Sequence, residues 1–91
     1  MAWSVEISKH ASDDLSTLDR TQSKRILNFI SRRVAVLENP RLLGKAMQVS
    51  SHHWFYRTGD YRVIADLKDE RFVVMVVAVG HRRDVYKRFS A

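Results

Sequence analysis

"HWFYRTGDYRVIADLKDERFVVMVVAV", residues 53–79, decides the fold. Two runs rich in aromatic and β-branched residues, "HWFYR" and "YRVIADL", flank "TGD" (Thr58, Gly59, Asp60). Strand-forming runs around a short Gly/Asp turn read as a β-hairpin. In the second run Tyr61, Val63, Ala65 and Leu67 share one face, and Arg62, Ile64 and Asp66 share the other. "KDE" (68–70) turns the chain again, and Arg71 to Val79 forms the longest strand. Its unbroken apolar content means that both faces are covered, which places it inside a sheet.

Upstream, "WSVEIS" alternates, with Trp3, Val5 and Ile7 on one side, as expected of a half-buried strand. Ser8 is positioned to cap a helix over about 9–18, in which Ala11, Leu15 and Leu18 recur at helical spacing. Asp19 can cap a second helix, with Gln22 three residues on. There Ile26, Leu27, Phe29, Ile30, Val34 and Leu37 trace one broad face. Pro40 disfavours helical geometry in its predecessor, so the helix should stop near Asn39. A connector and a short strand near Ala46–Val49 lead into the hairpin. The expected architecture is α+β: an N-terminal strand, a two-helix hairpin, then antiparallel strands in a twisted sheet with the helices on one face.

The chain has 91 residues, which fits a single domain over 1–91 with one modest core. It contains no cysteine, which excludes disulfides, thiolate metal sites and cysteine nucleophiles. The longest apolar run, Phe72 to Val79, is far too short to span a bilayer, and no signal-peptide run opens the chain. A soluble, cytoplasmic protein with no membrane partner is expected. Net charge is +6, but residues 1–19 carry −3 and the remainder +9. That polarity suggests a polyanionic or acidic partner.

Two stretches concentrate groups that can do chemistry. Arg62 lies within a strand, either as a solvent-facing cation or as an anion clamp, for which its planar fork is suited. "GHRRDVY" (80–86) follows the longest strand: Arg82 and Arg83 can grip phosphate, Tyr86 and His81 can hydrogen-bond, and histidine exchanges protons near neutrality. A solubilising basic tail is the plainer reading. His52 and His53 are adjacent and point to opposite faces of an extended strand, so no metal site and no cofactor is expected. There is no phosphate-cradling glycine loop, serine elbow or paired-acid motif. Arginine, tyrosine and histidine without a strong base can bind a phosphodiester and stabilise its transition state. RNA brings its own nucleophile, the 2′-OH, so these residues point to RNA binding with phosphodiester transfer.

"LENPRLLGKAM" (37–47), "YRTGDYRVIADL" (56–67) and "VVMVVAVGHRRDVYKR" (73–88), in that order and spacing, resemble the RelE/ParE superfamily of type II toxins, and within it the RelE branch. "WSVEISKHASDDLSTLD" (3–19) fits the same pattern, so the resemblance covers residues 3–88. "GDYRV" together with "VGHRRDVY" carries the specificity.

The resemblance implies a microbial-ribonuclease-like fold and a metal-independent endoribonuclease. Such an enzyme cuts mRNA in the ribosomal A site by 2′-OH attack on the adjacent phosphate. It also implies an acidic antitoxin from the same operon, and contact with operator DNA only through that complex. Arg62 falls on the position that contacts the scissile phosphate, Arg82 on the one that stabilises it or protonates the leaving group, and Tyr86 on the tyrosine that orients the RNA. Arg57, His81, Arg83, Lys45 and Lys87 are the further RNA-contacting candidates. Where RelE enzymes carry two lysines before the turn, this chain has His53 and Phe55. His53 is therefore the candidate base. Two alternatives stand beside this reading: a non-catalytic member that binds antitoxin, which Phe55 favours, and a ParE-like toxin directed at DNA gyrase.

Overall fold

The computed structural model describes residues 3–47, 52–81 and 84–85. The chain opens with strand β1 (Ser4–Ile7), followed by helices α1 (Lys9–Ser16) and α2 (Arg20–Phe29). A π-helical turn over Ile30–Val34 and a 3-10 turn over Pro40–Leu43 lead to β2 (Lys45–Ala46). Then come β3 (His53–Thr58), β4 (Tyr61–Lys68), a 3-10 turn over Asp69–Arg71 and β5 (Val73–His81). The five strands form one sheet in the order β1-β5-β4-β3-β2. β1 runs parallel to β5, and the other neighbours are antiparallel. The α+β expectation holds.

The helix starts follow their caps. Ser8 Oγ accepts from Ala11 N–H at 3.1 Å and Asp19 Oδ1 from Gln22 N–H at 2.8 Å. The end of the second helix differs from the expectation. α-Geometry stops at Phe29, and Ala35 N–H donates across a π turn to the Ile30 carbonyl at 2.9 Å. The wider turn leaves the Ala35 carbonyl to accept from Trp3 N–H at 2.7 Å, while Trp3 Nε1 donates to the Glu38 carbonyl. The N-terminal strand is thus stitched to the end of the helical segment.

β5 begins two residues later than expected. Asp69–Arg71 form a turn and Phe72 takes a left-handed conformation (φ 52°), so the strand runs from Val73 to His81. The short strand before the hairpin is also displaced, to Lys45–Ala46; Gln48 and Val49 lie outside the described residues.

One face of the sheet takes the helices. Ala11, Leu15, Ile26, Ile30 and Val34 pack on Tyr56, Val63, Ala65, Leu67, Val74, Val76 and Val79, all buried. Val74, Val76 and Val79 cannot share a face in a regular strand, because alternation has period two. A β-bulge resolves this: Ile64 pairs with Ala78 but Ala65 with Val76, leaving Val77 as the extra residue. The opposite face carries a smaller cluster of Met47, Ile64, Ala78 and Val85, with Phe55 against it. Val85 gets there because the chain turns back after β5, with Asp84 and Val85 N–H both donating to the His81 carbonyl. Among the described residues no helix is long and apolar enough to cross a membrane.

Candidate nucleic-acid interface

The β3–β4 hairpin turns on Gly59 and Asp60. Gly59 has φ +61° and Asp60 does not share the positive φ, as in a type II′ turn, which matches the twist of the flanking strands. Counting outward from this turn fixes the register: Thr58 opposes Tyr61, Arg57 opposes Arg62, Phe55 opposes Ile64 and His53 opposes Asp66. Arg57, Arg62, Phe55 and His53 therefore lie on the face away from the helices. Lys45 opposes Phe55 across β2–β3 and joins them.

Arg57 and Arg62 are the core of the site. Directly opposed residues have Cβ atoms about 4.5–5.5 Å apart, and like charges there repel. Among the described residues no carboxylate pairs with either. Arg57 is exposed. Arg62 retains only 8% exposure, and its guanidinium donates to the Tyr61 carbonyl at 3.4 Å. It is thus neither the solvent-facing cation of the plainer reading nor a partner in an ion pair. On its other side it opposes Gly80, whose missing side chain leaves room for Val85: a Cβ there would lie 3.3 Å from Val85 Cβ.

The remaining candidates separate into three groups. His53 stands four residues along the strand from Arg62, roughly 13 Å away at about 3.3 Å per residue. It lines a pocket of ≈ 430 Å³ with His52, Asp66, Leu67, Lys68, Asp69 and Glu70. Between the two positions lies the apolar Phe55–Ile64 pair. His81 opposes Tyr61, on the helix-side face, with the rings edge-on at 6.1 Å between centroids. Arg82, Arg83, Tyr86 and Lys87 lie outside the described residues. Among the described residues no group of three or more His, Cys, Asp or Glu side chains is arranged to hold a metal ion.

Two features were not anticipated. The first is the Arg57–Arg62 opposition, which the two-residue turn would have given by simple counting. The second is Asp14, a carboxylate only 8% exposed on α1 whose Oδ2 accepts from Val79 N–H at 3.0 Å. β1 ends its pairing at Val76, so β5 would run on with a bare edge. Ser8 Oγ takes the Val77 carbonyl at 3.3 Å and Asp14 takes the next inward amide. No sequence signal marks this, since Asp14 sits in an acidic stretch that looks solvated.

A family model described as the ParE toxin of type II toxin-antitoxin systems, parDE, matches residues 5–86. The chain belongs to this family. It is a toxin of the RelE/ParE type, of a type II toxin-antitoxin system. No curated protein matches it by sequence. Among solved structures the toxin is similar to a chain of the RelBE2 toxin–antitoxin complex from Mycobacterium tuberculosis, at 24% identity and TM-score 0.82 over 92% of this chain and 95% of that one. It is also similar to a free E. coli RelE toxin carrying two arginine-to-alanine changes, at 23% identity and TM-score 0.71 over 97% and 98%. A third is the archaeal RelE–RelB complex of Pyrococcus horikoshii, at 21% identity and TM-score 0.65 over 93% and 100%. At these identities the likeness establishes the RelE fold.

Proposed function

We propose that the toxin is a ribosome-dependent endoribonuclease that cuts mRNA in the A site, and that the open sheet face holds the scissile phosphate. The observation that carries this reading is the directly opposed, carboxylate-free Arg57–Arg62 pair beside Gly80. A like-charged pair held this close is relieved by an anion, and two guanidinium forks match phosphate oxygens. Arg82, Arg83 and Tyr86 follow Gly80 closely in sequence, and in this reading they complete the grip. The 2′-oxygen attacks phosphorus, the bond to the 5′-oxygen breaks, and the products are a 2′,3′-cyclic phosphate and a 5′-hydroxyl. The proton leaves the 2′-OH for a base and one is delivered to the departing oxygen. Arg62 and Arg82 stabilise the charge that builds on the phosphate, Arg82 serves at the leaving oxygen, and Tyr86 orients the nucleotide. His53 is the candidate base in the strand before the turn, and Lys45 and Lys87 extend the basic track.

The partner in this reading is an acidic antitoxin. Its support is the RelB antitoxins bound in the E. coli, P. horikoshii and M. jannaschii complexes that share the fold. Operator DNA is contacted through that complex. A second reading, a gyrase-directed toxin, is favoured by the ParE description of the matching family. Ribosomes programmed with a defined mRNA, incubated with toxin and read by primer extension, separate the two. Cleavage within the A-site codon supports the nuclease. Intact mRNA with inhibited gyrase supercoiling supports the alternative.

A further inference from the structure

The helical layer carries a second basic surface, on the side of the sheet opposite Arg57 and Arg62. Arg20, Lys24, Arg25, Arg32 and Arg33 are all exposed along α2 and the π turn that extends it. No acidic residue occurs from Arg20 to Leu37. Among the described residues none of the five cations forms an ion pair. Ile26, Ile30 and Val34 bury the inner side of this segment, so the cations occupy its outer and flanking sides. From Arg20 to Arg33 the array is about 20 Å long at 1.5 Å per residue.

The character of the surface selects its partner. Protein interfaces are anchored by buried aromatic and apolar groups. On the outer side of this segment the large exposed apolar side chain is Leu27, at only 37% exposure, amid four arginines and a lysine. A polar, arginine-rich row without an apolar anchor is matched to a phosphate backbone rather than to an amphipathic peptide. The two basic faces are separated by the sheet and the helical layer, in a body 22 Å across its shortest dimension. One nucleotide strand lying on the open face does not reach both.

We propose that the outer face of residues 20–33 is a docking surface for the backbone of double-stranded RNA, separate from the open-face site. It orients the toxin on a folded RNA while the sheet face addresses a single strand. This inference concerns a different face and does not depend on whether the open face cuts.

The test uses the full chain and a labelled RNA hairpin stem with no single-stranded tail, with anisotropy measured across a salt series. Each duplex phosphate contact contributes a slope of about −0.9 in log K against log salt at B-DNA charge density. The triple variant Arg25→Gln, Arg32→Gln, Arg33→Gln should flatten the slope by about 2–3 and weaken stem binding at least tenfold at low salt. Its thermal unfolding should be unchanged, because all three side chains are exposed. Lys24→Gln with Arg20→Gln gives an independent pair that should lower the slope by about 1–2. Arg62→Ala should bind the stem like the wild type. Equal stem binding by wild type and triple variant overturns the proposal. So does a triple variant that loses polyglutamate binding but keeps the stem, which would make the surface a site for an acidic protein. A wild type that binds the stem with the steep slope yet leaves ribosome-bound mRNA uncut sinks the nuclease reading and leaves this one standing.

Discussion

Arg57 and Arg62 face each other across the β3–β4 hairpin, with no carboxylate between them among the described residues. The arrangement works against the fold. Directly opposed like charges are destabilising by an amount comparable to the roughly 0.2–1 kcal/mol that favourable cross-strand pairs contribute. Function-bearing positions are where such local conflict is expected.

This gives the first prediction. Arg57→Gln removes the repulsion, buries nothing new and sits on an exposed side chain. It should raise stability by a few tenths of a kcal/mol, up to about 1 kcal/mol, while weakening RNA binding. Chemical denaturation and an RNA-binding titration on the same variant check both halves. A variant that loses stability and keeps its RNA affinity contradicts the assignment of the pair as an anion site.

Arg62→Ala should act on the reaction more than Arg57→Gln does. Loss of one preorganised charge-stabilising group lowers rate by about 10²–10³-fold. Single-turnover cleavage of mRNA on programmed ribosomes measures this, with Arg71→Ala as the exposed control at the far end of β5. Equal rates for wild type and Arg62→Ala remove Arg62 from the site.

Asp14 should matter for stability through one bond. Asp14→Ala leaves the Val79 amide buried and unpaired, at a cost of about 1–3 kcal/mol. Asp14→Asn keeps an acceptor oxygen and should recover most of it. Hydrogen exchange at the Val79 amide should speed up in the alanine variant and stay slow in the asparagine one. Uniformly slow exchange in both would show that another acceptor holds that edge.

Tyr56 supplies a pH dependence. Its ring is fully buried, its hydroxyl donates to the Pro40 carbonyl at 2.8 Å, and burial pushes its pKa up to about 12. The folded value lies above that of an unfolded tyrosine, near 10, so this contribution is intact below about pH 10. Between about pH 10 and 12 the unfolded chain ionises and the folded one does not, and stability falls by roughly 2–3 kcal/mol. Tyr56→Phe should be less stable at neutral pH by about 1 kcal/mol and should lack that alkaline decline. Urea unfolding at a series of alkaline pH values distinguishes the two curves.

Much of this architecture is legible in the residues. The caps at Ser8 and Asp19, the Gly59–Asp60 turn and the alternation of β4 each rest on a local rule, and each holds. The features that escaped are those that alternation cannot report. β5 is apolar at every position from Val73 to Val79, so the bulge at Val77 leaves no trace in the pattern. The π turn at Ile30–Val34 preserves the apolar spacing of a helix while changing its hydrogen bonds. Asp14 is polar and buried because of an edge 65 residues away in sequence. At the site, the face of Arg62 follows from its strand parity. The separation of His53 from Arg62 and the placement of His81 behind the sheet required the register.

That register leads to the last prediction. The position between Arg62 and His53 on β3 belongs to Phe55, which opposes Ile64 and packs against the cluster of Met47, Ile64, Ala78 and Val85. Along the sheet Phe55 is two residues from the level of Arg62, roughly 7 Å, whereas His53 is four, roughly 13 Å. A proton acceptor acting at a phosphate held by Arg57 and Arg62 is better placed at 55 than at 53. His53→Ala should therefore lower cleavage far less than Arg62→Ala does. Phe55→Lys should raise cleavage if proton transfer limits it, even as loss of the apolar contact lowers stability. The pH–rate profile adds a readout that stability does not move: a histidine base contributes an acidic limb that vanishes in His53→Ala. If that limb vanishes and the rate drops as far as in Arg62→Ala, His53 is the base, and the RNA must lie along β3 so that one nucleotide spans the gap.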